Sequence, residues 1–450
     1  MRLLRLLRGP MPLMGIGLAL VVLSGAAFLA VISRSGIDRQ GVAALASLYF
    51  LVNTIALGVF SGVEQEMSRA VSRQRALGGP VAPVARFVAL QGARLLVPAT
   101  AVLLVLSPVL VGGSLQGHWE LVGLLFVSLV SAWAASSVRG ALAGSQRFGS
   151  YSATLAAEGL SRLVPCVVLW LAGADSAWPF GLVFVLGQLF AALLGVALLW
   201  IGGHRDWRAS SAVAPPEVEG AGKIRFGVST ALVLVVVANL TNQAIVNLPP
   251  VMIASLPAVD FALATAIAGA VTLTRLPMFA FVPLQTMLLP RLATSVASGD
   301  LPGLRRQTFR TAAACVVLGV VAIVLLGTAG PWLLGLYLGQ PAQLPAVAMA
   351  GLGIGTLFLM TSNVTQPALL ALGKHRMVLV SYLIGAAAMV LAFALPADPI
   401  TSAVLTTSAG PVALVSAMAV VLVRETGRAR PPAADAPVPA LAEPRERTTR

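Results

Sequence analysis

An all-α protein that crosses a membrane about twelve times is the fold class this sequence predicts, and three observations predict it. Of the 450 residues, 58% are apolar and only 10% are charged, against about 25% charged in soluble domains. A soluble fold of this size has too little interior to hide so much apolar surface, so lipid must be the solvent. The apolar residues also fall into long runs, and the cations are segregated between those runs. If the first run leads outward from the cytoplasm, the outer loops hold only Arg34 and Arg39 of the 30 Lys and Arg residues. Arg162 and Arg275 fall inside apolar runs, and the remaining 26 lie on the inner side or at its edge. Such an asymmetry fixes orientation, because cations are retained on the cytoplasmic face.

The runs are roughly 11–33, 41–63, 88–112, 120–138, 151–173, 178–201, 226–250, 261–287, 311–334, 345–369, 377–396 and 400–423. Each is long enough for a helix to cross about 30 Å of hydrocarbon at about 1.5 Å per residue. The opening MRLLRLLRGP resembles the basic region of a signal peptide. The run behind it has no convincing small-residue cleavage motif and reads as a retained first span. Inner segments such as RAVSRQRALGGPVAPVAR, VRGALAGSQR and GKHR are basic, whereas the outer GGSLQGHWE, GADSAW, GQPAQLP and PADP carry no cation. An even number of spans places both termini inside.

A duplication is suggested by Gly144, Arg147 and Ser152 after span four and Gly373, Arg376 and Ser381 after span ten. The three pairs share an offset of 229 residues, which equals six spans. Two six-helix lobes in the same orientation, 1–203 and 224–423, would then be related by a pseudo-two-fold axis along the membrane normal. The Pro/Ser/Ala-rich stretch 204–223 is the expected cytoplasmic linker. The tail 424–450, rich in Pro, Ala and charge, is expected to be disordered.

Composition also excludes several functions. The net charge of +14 sits in short loops beside apolar spans, not on a soluble basic face with base-stacking aromatics, so no nucleic-acid partner is expected. Cys166 and Cys315 lie in apolar spans and read as free and structural. His118, His204 and His375 are scattered, and no metal or cofactor is expected. No phosphate-binding loop, HExxH or nucleophile elbow occurs, so no enzyme is expected. The isolated outer acids Asp38, Glu120, Asp175, Asp260 and Asp398 do not make a glycosyltransferase site.

The candidate functional residues are polar groups inside spans, where a charge is costly and usually functional. Arg275 lies about fourteen residues from the outer end of span eight, too deep to snorkel out. Arg keeps its charge, so it faces a fixed partner, water or an anionic ligand. Pro277 and Pro283 beside it would bend the helix or free carbonyls. Glu158 and Arg162, four apart in span five, share a helical face; they form a neutral pair or a switch that opens to protons or an anion. Asn239, Asn242, Gln243 and Asn247 form one stripe of span seven. That stripe either glues helices together or lines a cavity for sugar hydroxyls or water. Pro249-Pro250 is expected to end it in a bend. Asn53 lies mid-membrane in span two. Glu64, near its inner end, reads as interfacial, with ion coupling as the alternative. Arg34 and Arg39 either cap the helix end or meet an anion leaving the cavity.

SRSGIDRQGVAALASL at the end of span one, RGALAGSQRFGSYSATLAAEGLSRL around span five and RLPMFAFVPLQTMLLPRLA in span eight together resemble the polysaccharide transporters. These are the Wzx-like flippases of the multidrug/oligosaccharidyl-lipid/polysaccharide (MOP) exporter superfamily. The resemblance covers most of residues 10–423. It implies a MATE-like fold with a central cavity between the lobes that opens alternately to each face. It implies export of isoprenoid-pyrophosphate-linked saccharides across a bacterial plasma membrane by a monomer. Glycosyltransferases or a polymerase of the same pathway would be its partners. It assigns the anionic headgroup to cavity cations, of which Arg275 matches best. Arg162, Arg34, Arg39 and the amides would complete the substrate site, and Glu158 and Glu64 would couple an ion. Some related patterns are missing. The first span has no carboxylate of the kind found in cation-coupled drug exporters. It also lacks the arginines that lipid II flippases carry there. The loop after span two has no Asp, unlike the GxxxDRxGRR-like loop of major-facilitator transporters.

Overall fold

In a computed structural model, residues 10–202, 224–225, 228–278, 292, 295–296, 300–341 and 343–427 are described. Among them, twelve helices are long and apolar enough to cross a membrane. They are α1 (Pro10–Ile32), α2 (Arg39–Ala76), α3 (Val81–Gly112), α4 (Trp119–Gly144), α5 (Phe148–Leu171), α6 (Ala177–Gly202), α7 (Thr230–Ala254), α8 (Phe261–Thr274, which after a turn at Arg275 goes on within the span Phe261–Met278), α9 (Leu301–Leu338), α10 (Ala346–Ala371), α11 (His375–Phe393) and α12 (Pro399–Gly427). A two-residue antiparallel pair, β1 (Ile224–Arg225) and β2 (Val228–Ser229), precedes α7. Large apolar side chains stand exposed along α3 (Val97, Val105, Val109) and α9 (Val317, Val321, Val324). Such surface suits lipid and would be an aggregation hazard in water.

The helices begin where the sequence supplies caps. Asp38 accepts the Gly41 N–H at 3.1 Å, Asp260 that of Leu263 at 2.7 Å and Asp398 that of Thr401 at 3.0 Å. Three of the isolated acids at the expected outer face are therefore N-caps, each satisfying a donor that the first helical turn leaves free. Several helices outrun the expected spans. Residues 64–76, EQEMSRAVSRQRA, are too polar for a hydropathy-based span but are good helix formers, so α2 continues to Ala76. The same holds at 301–310 of α9, where Asp300 accepts from Gly303 N at 2.8 Å. In span eight α8 breaks at Arg275, its cap, and helix resumes over 276–278; the rest of the expected span lies outside the described residues. Span seven runs past Pro249-Pro250 to Ala254, so the proline pair does not end it. The expected linker, Pro283 and most of the tail lie outside the described residues, and α12 extends beyond the expected boundary at 423 to Gly427.

The turns after α4 and α10 close with the same pattern. Ser145, Gln146 and Arg147 donate to Ala141, Ala143 and Leu142; Leu372, Gly373 and Lys374 donate to Ala368, Leu370 and Leu369. The left-handed position is Gln146 in one turn and Gly373 in the other; the turns after α2 and α5 close in the same way, so this is a general helix-end motif and not a mark of the repeat. The seam between lobes runs along α2 and α7. A Cβ on Gly58 would stand 2.8 Å from Leu240 Cδ1, and one on Gly62 would stand 3.1 Å from Val236 Cγ2. Small residues four apart let two backbones approach closely in this way. Phe28, Phe50, Phe60, Phe180 and Phe184 fill the buried core of the N-terminal lobe.

Candidate functional site

Arg275 lies at the junction of the lobes. Its Nη1 donates to Asn247 Oδ1 of α7 at 3.1 Å, its Nη2 donates to the Val246 carbonyl, and its guanidinium lies 5.6 Å from the Phe50 ring centroid of α2. The open carbonyl has a covalent cause. In a helix the Val246 oxygen would accept from residue 250, but Pro250 has no N–H. The proline therefore frees the acceptor that Arg275 takes. No carboxylate among the described residues pairs with Arg275, so its ligands are neutral. Among the described residues it is held in position by neutral groups alone.

The other amides of α7 divide. Asn247 is buried and engaged with Arg275. Asn239, Asn242 and Gln243 are half-buried, and the Asn239 amide nitrogen is buried without a hydrogen-bond partner. An unsatisfied amide in an apolar setting costs about 1–3 kcal/mol, so the Asn239 nitrogen adds nothing to helix association in this arrangement. Asn53 instead folds back, donating to its own helix at the Tyr49 carbonyl, 2.8 Å away. Tyr49 stacks edge-on to Phe50 at 4.9 Å and packs on Phe184 at 5.5 Å. Its ring thus lies between the phenyl groups that carry Arg275 and Arg162.

Inside the N-terminal lobe the ion pair expected on α5 is present. Glu158 Oε1 accepts from Arg162 Nη2 at 2.8 Å, and Arg162 Nε donates to the Phe184 carbonyl at 3.0 Å. A third member is Arg139 of α4, buried, which donates to Glu158 Oε2 and to Thr154 Oγ1. Sequence reasoning placed Arg139 in an inner loop because hydropathy falls at residue 138. The helix runs on to Gly144, leaving Arg139 about 8 Å inside its end. A cation one residue past an apolar run on a helix that continues is the signal that could have found it. Arg162 is tied through Nη2 to Glu158 and through Nε to the Phe184 carbonyl of α6, away from the partners of Arg275. Glu64, read from sequence as interfacial, is half-buried and accepts the Tyr151 hydroxyl at 2.8 Å. Glu64 and Glu158 together balance Arg139 and Arg162.

At the expected outer face, Arg34 donates to the Leu336 and Tyr337 carbonyls of α9 and to Ala30 O at 3.0 Å. Arg39 opens α2 and is exposed. The structure therefore brings Arg275 and Asn247 together, gathers Glu158 and Arg162 elsewhere, and leaves Arg34 and Arg39 at a helix end. No group of three or more potential metal ligands occurs among the described residues.

This is the fold of MATE transporters of the MOP superfamily. An inward-facing multidrug resistance MATE transporter matches with a TM-score of 0.72 at 12% identity, covering 90% of this chain and 96% of that one. An outward-facing one matches at 0.64, 12% identity, 94% and 97% coverage. The eukaryotic MATE transporter AtDTX14 matches at 0.62, 11% identity, 94% and 97% coverage. Identities this low report architecture alone. No known family profile matches the chain. In sequence it is similar to "Uncharacterized protein Rv1510" of Mycobacterium tuberculosis (strain H37Rv), 28% identical over 302 residues. That alignment takes in 66% of this chain and 65% of its relative, so the chain matches just under two thirds of the relative's length.

Proposed function

We propose that this protein flips an isoprenoid-(pyro)phosphate-linked saccharide from the inner to the outer leaflet of a bacterial plasma membrane, with both termini cytoplasmic. The observation that carries this reading is Arg275, a permanent cation at the lobe junction whose described ligands are an amide, a carbonyl and an aromatic face. Phosphate oxygens suit a guanidinium through charge-assisted forked bonds. The half-buried amides Asn239, Asn242 and Gln243 lie on the same helix as Asn247 and are both donors and acceptors, as sugar hydroxyls require. The lipid tail stays in the bilayer while the headgroup passes between the lobes. An inside-negative potential drives an anion outward by about 2.3 kcal/mol per charge per 100 mV, so the cargo's own charge supplies part of the driving force. Arg34 and Arg39 meet the anion as it leaves. The test is flipping of a fluorescent lipid-linked saccharide in proteoliposomes: wild type transports it and Arg275→Ala does not. Equal transport by the two proteins sinks the headgroup assignment.

One observation favours a second reading, export of small molecules coupled to a cation: the acids Glu64 and Glu158 are enclosed within the N-terminal lobe. Glu64 is the better candidate for ion coupling, since its described hydrogen-bond partner is a neutral hydroxyl and Glu158 lies between two arginines. Efflux of soluble drugs that follows a proton or sodium gradient and is lost in Glu64→Gln would favour this reading over the flippase.

A further inference from the structure

The lobes are joined at the expected outer face by a second set of bonds, distinct from the apolar seam of α2 and α7. Arg34, just beyond the end of α1, places both terminal nitrogens on the carbonyls of Leu336 and Tyr337. Those carbonyls belong to the last turn of α9, where no helical N–H remains to bond them and the helix dipole favours a cation. Gly339 caps the helix with φ 70°, and a Cβ there would meet Arg34 Cγ at 2.9 Å and Nε at 3.0 Å. The arginine stem thus lies directly against the cap. Further bonds hold the contact: Tyr337 Oη donates to Ala26 O at 2.6 Å and Gln340 Nε2 to Ser33 O at 3.2 Å, while Trp170 Nε1 of α5, in the same lobe, fixes Arg34 O at 3.1 Å.

We propose that Arg34 is a latch that keeps the outer ends of α1 and α9 together, and that opening toward the outside requires its release. The chemistry suits a reversible contact. Every acceptor on α9 is a main-chain carbonyl at an exposed helix end, and the Arg34 side chain is itself exposed. Water can replace both partners when the lobes part, so neither half is left buried and unpaired. The apolar seam, closed along Gly58 and Gly62, offers no such exchange and suits a hinge. A fork of planar donors is needed to span two successive carbonyls, which Lys lacks. The inference concerns conformation and holds whatever the cargo is.

The test is a distance measurement in lipid nanodiscs without substrate. Spin labels go on Ser176→Cys and Val347→Cys, both exposed and beside the outer ends of the two lobes, in a background carrying Cys166→Ala and Cys315→Ala. Arg34→Ala is expected to move the ratio of long to short separations about tenfold toward long. Arg34→Lys should fall between it and wild type. Tyr337→Phe, which keeps both carbonyls and loses only the bond to Ala26, should shift the same way by less. If Arg34→Ala does not fold, Arg34→Lys and Tyr337→Phe carry the test. Separations identical to wild type in the variants that fold overturn the latch. Because the readout involves no cargo, its failure is separate from any failure of the flippase reading.

Discussion

Arg275 and Pro250 act as one unit. The proline removes an N–H, the removal frees the Val246 carbonyl, and that carbonyl fixes one arm of the guanidinium. Pro250→Ala should restore the helical donor and let it compete for Val246 O. Loss of one charge-assisted bond is worth about 1.5–3 kcal/mol, so cargo affinity should fall at least tenfold while thermal stability holds or rises. Titration of the purified variant with a lipid pyrophosphate would read this, and unchanged affinity would remove Val246 from the site. Glu158 gives the opposite case. Glu158→Gln removes the carboxylate that both Arg139 and Arg162 bond, leaving Glu64 as the nearby counter-charge, and breaking such a set costs about 3–5 kcal/mol. A lower melting temperature is expected. Replacing all three by apolar residues of similar volume should recover stability, since buried ion sets are seldom better than good packing. Transport that recovers with stability would make the cluster purely structural.

For whole elements, helix starts and helix seams rest on different residues. Asp38→Ala should cost about 1 kcal/mol, within the usual range for a lost N-cap, and Asp38→Asn almost nothing. Both can be read by thermal unfolding in detergent. Gly58→Val should cost more, because its side chain would enter the space of Leu240 on α7; overpacking of this kind costs about 1–3 kcal/mol. If the seam is the hinge, this variant should also slow transport more than its stability loss explains. Element lengths were only partly legible in the sequence. Hydropathy sees lipid contact, so it found the apolar part of α2 and missed 64–76, which is helical for reasons of propensity. The same blindness hid Arg139.

As a whole, the molecule places few charges at depth and many at the edge expected to face inward. If the cargo carries two negative charges, an inside-negative potential of 100 mV should assist export by about 2.3 kcal/mol for each of them. Imposing a potassium diffusion potential on proteoliposomes should therefore accelerate flipping, and reversing its sign should slow it. Rates indifferent to potential would mean that the headgroup crosses neutralised. The sequence by itself determined the membrane class, the twelve spans and the identity of Arg275 as an unusual cation, because hydropathy and charge segregation are properties of composition along the chain. Only the tertiary structure decided which polar groups meet. It joined Arg275 to a carbonyl freed by proline on another helix, gave Glu158 a second arginine, and tied Arg34 to the end of α9, 302 residues away. Those partners depend on which helices are neighbours, and neighbours are set by packing between distant segments, which no local pattern encodes.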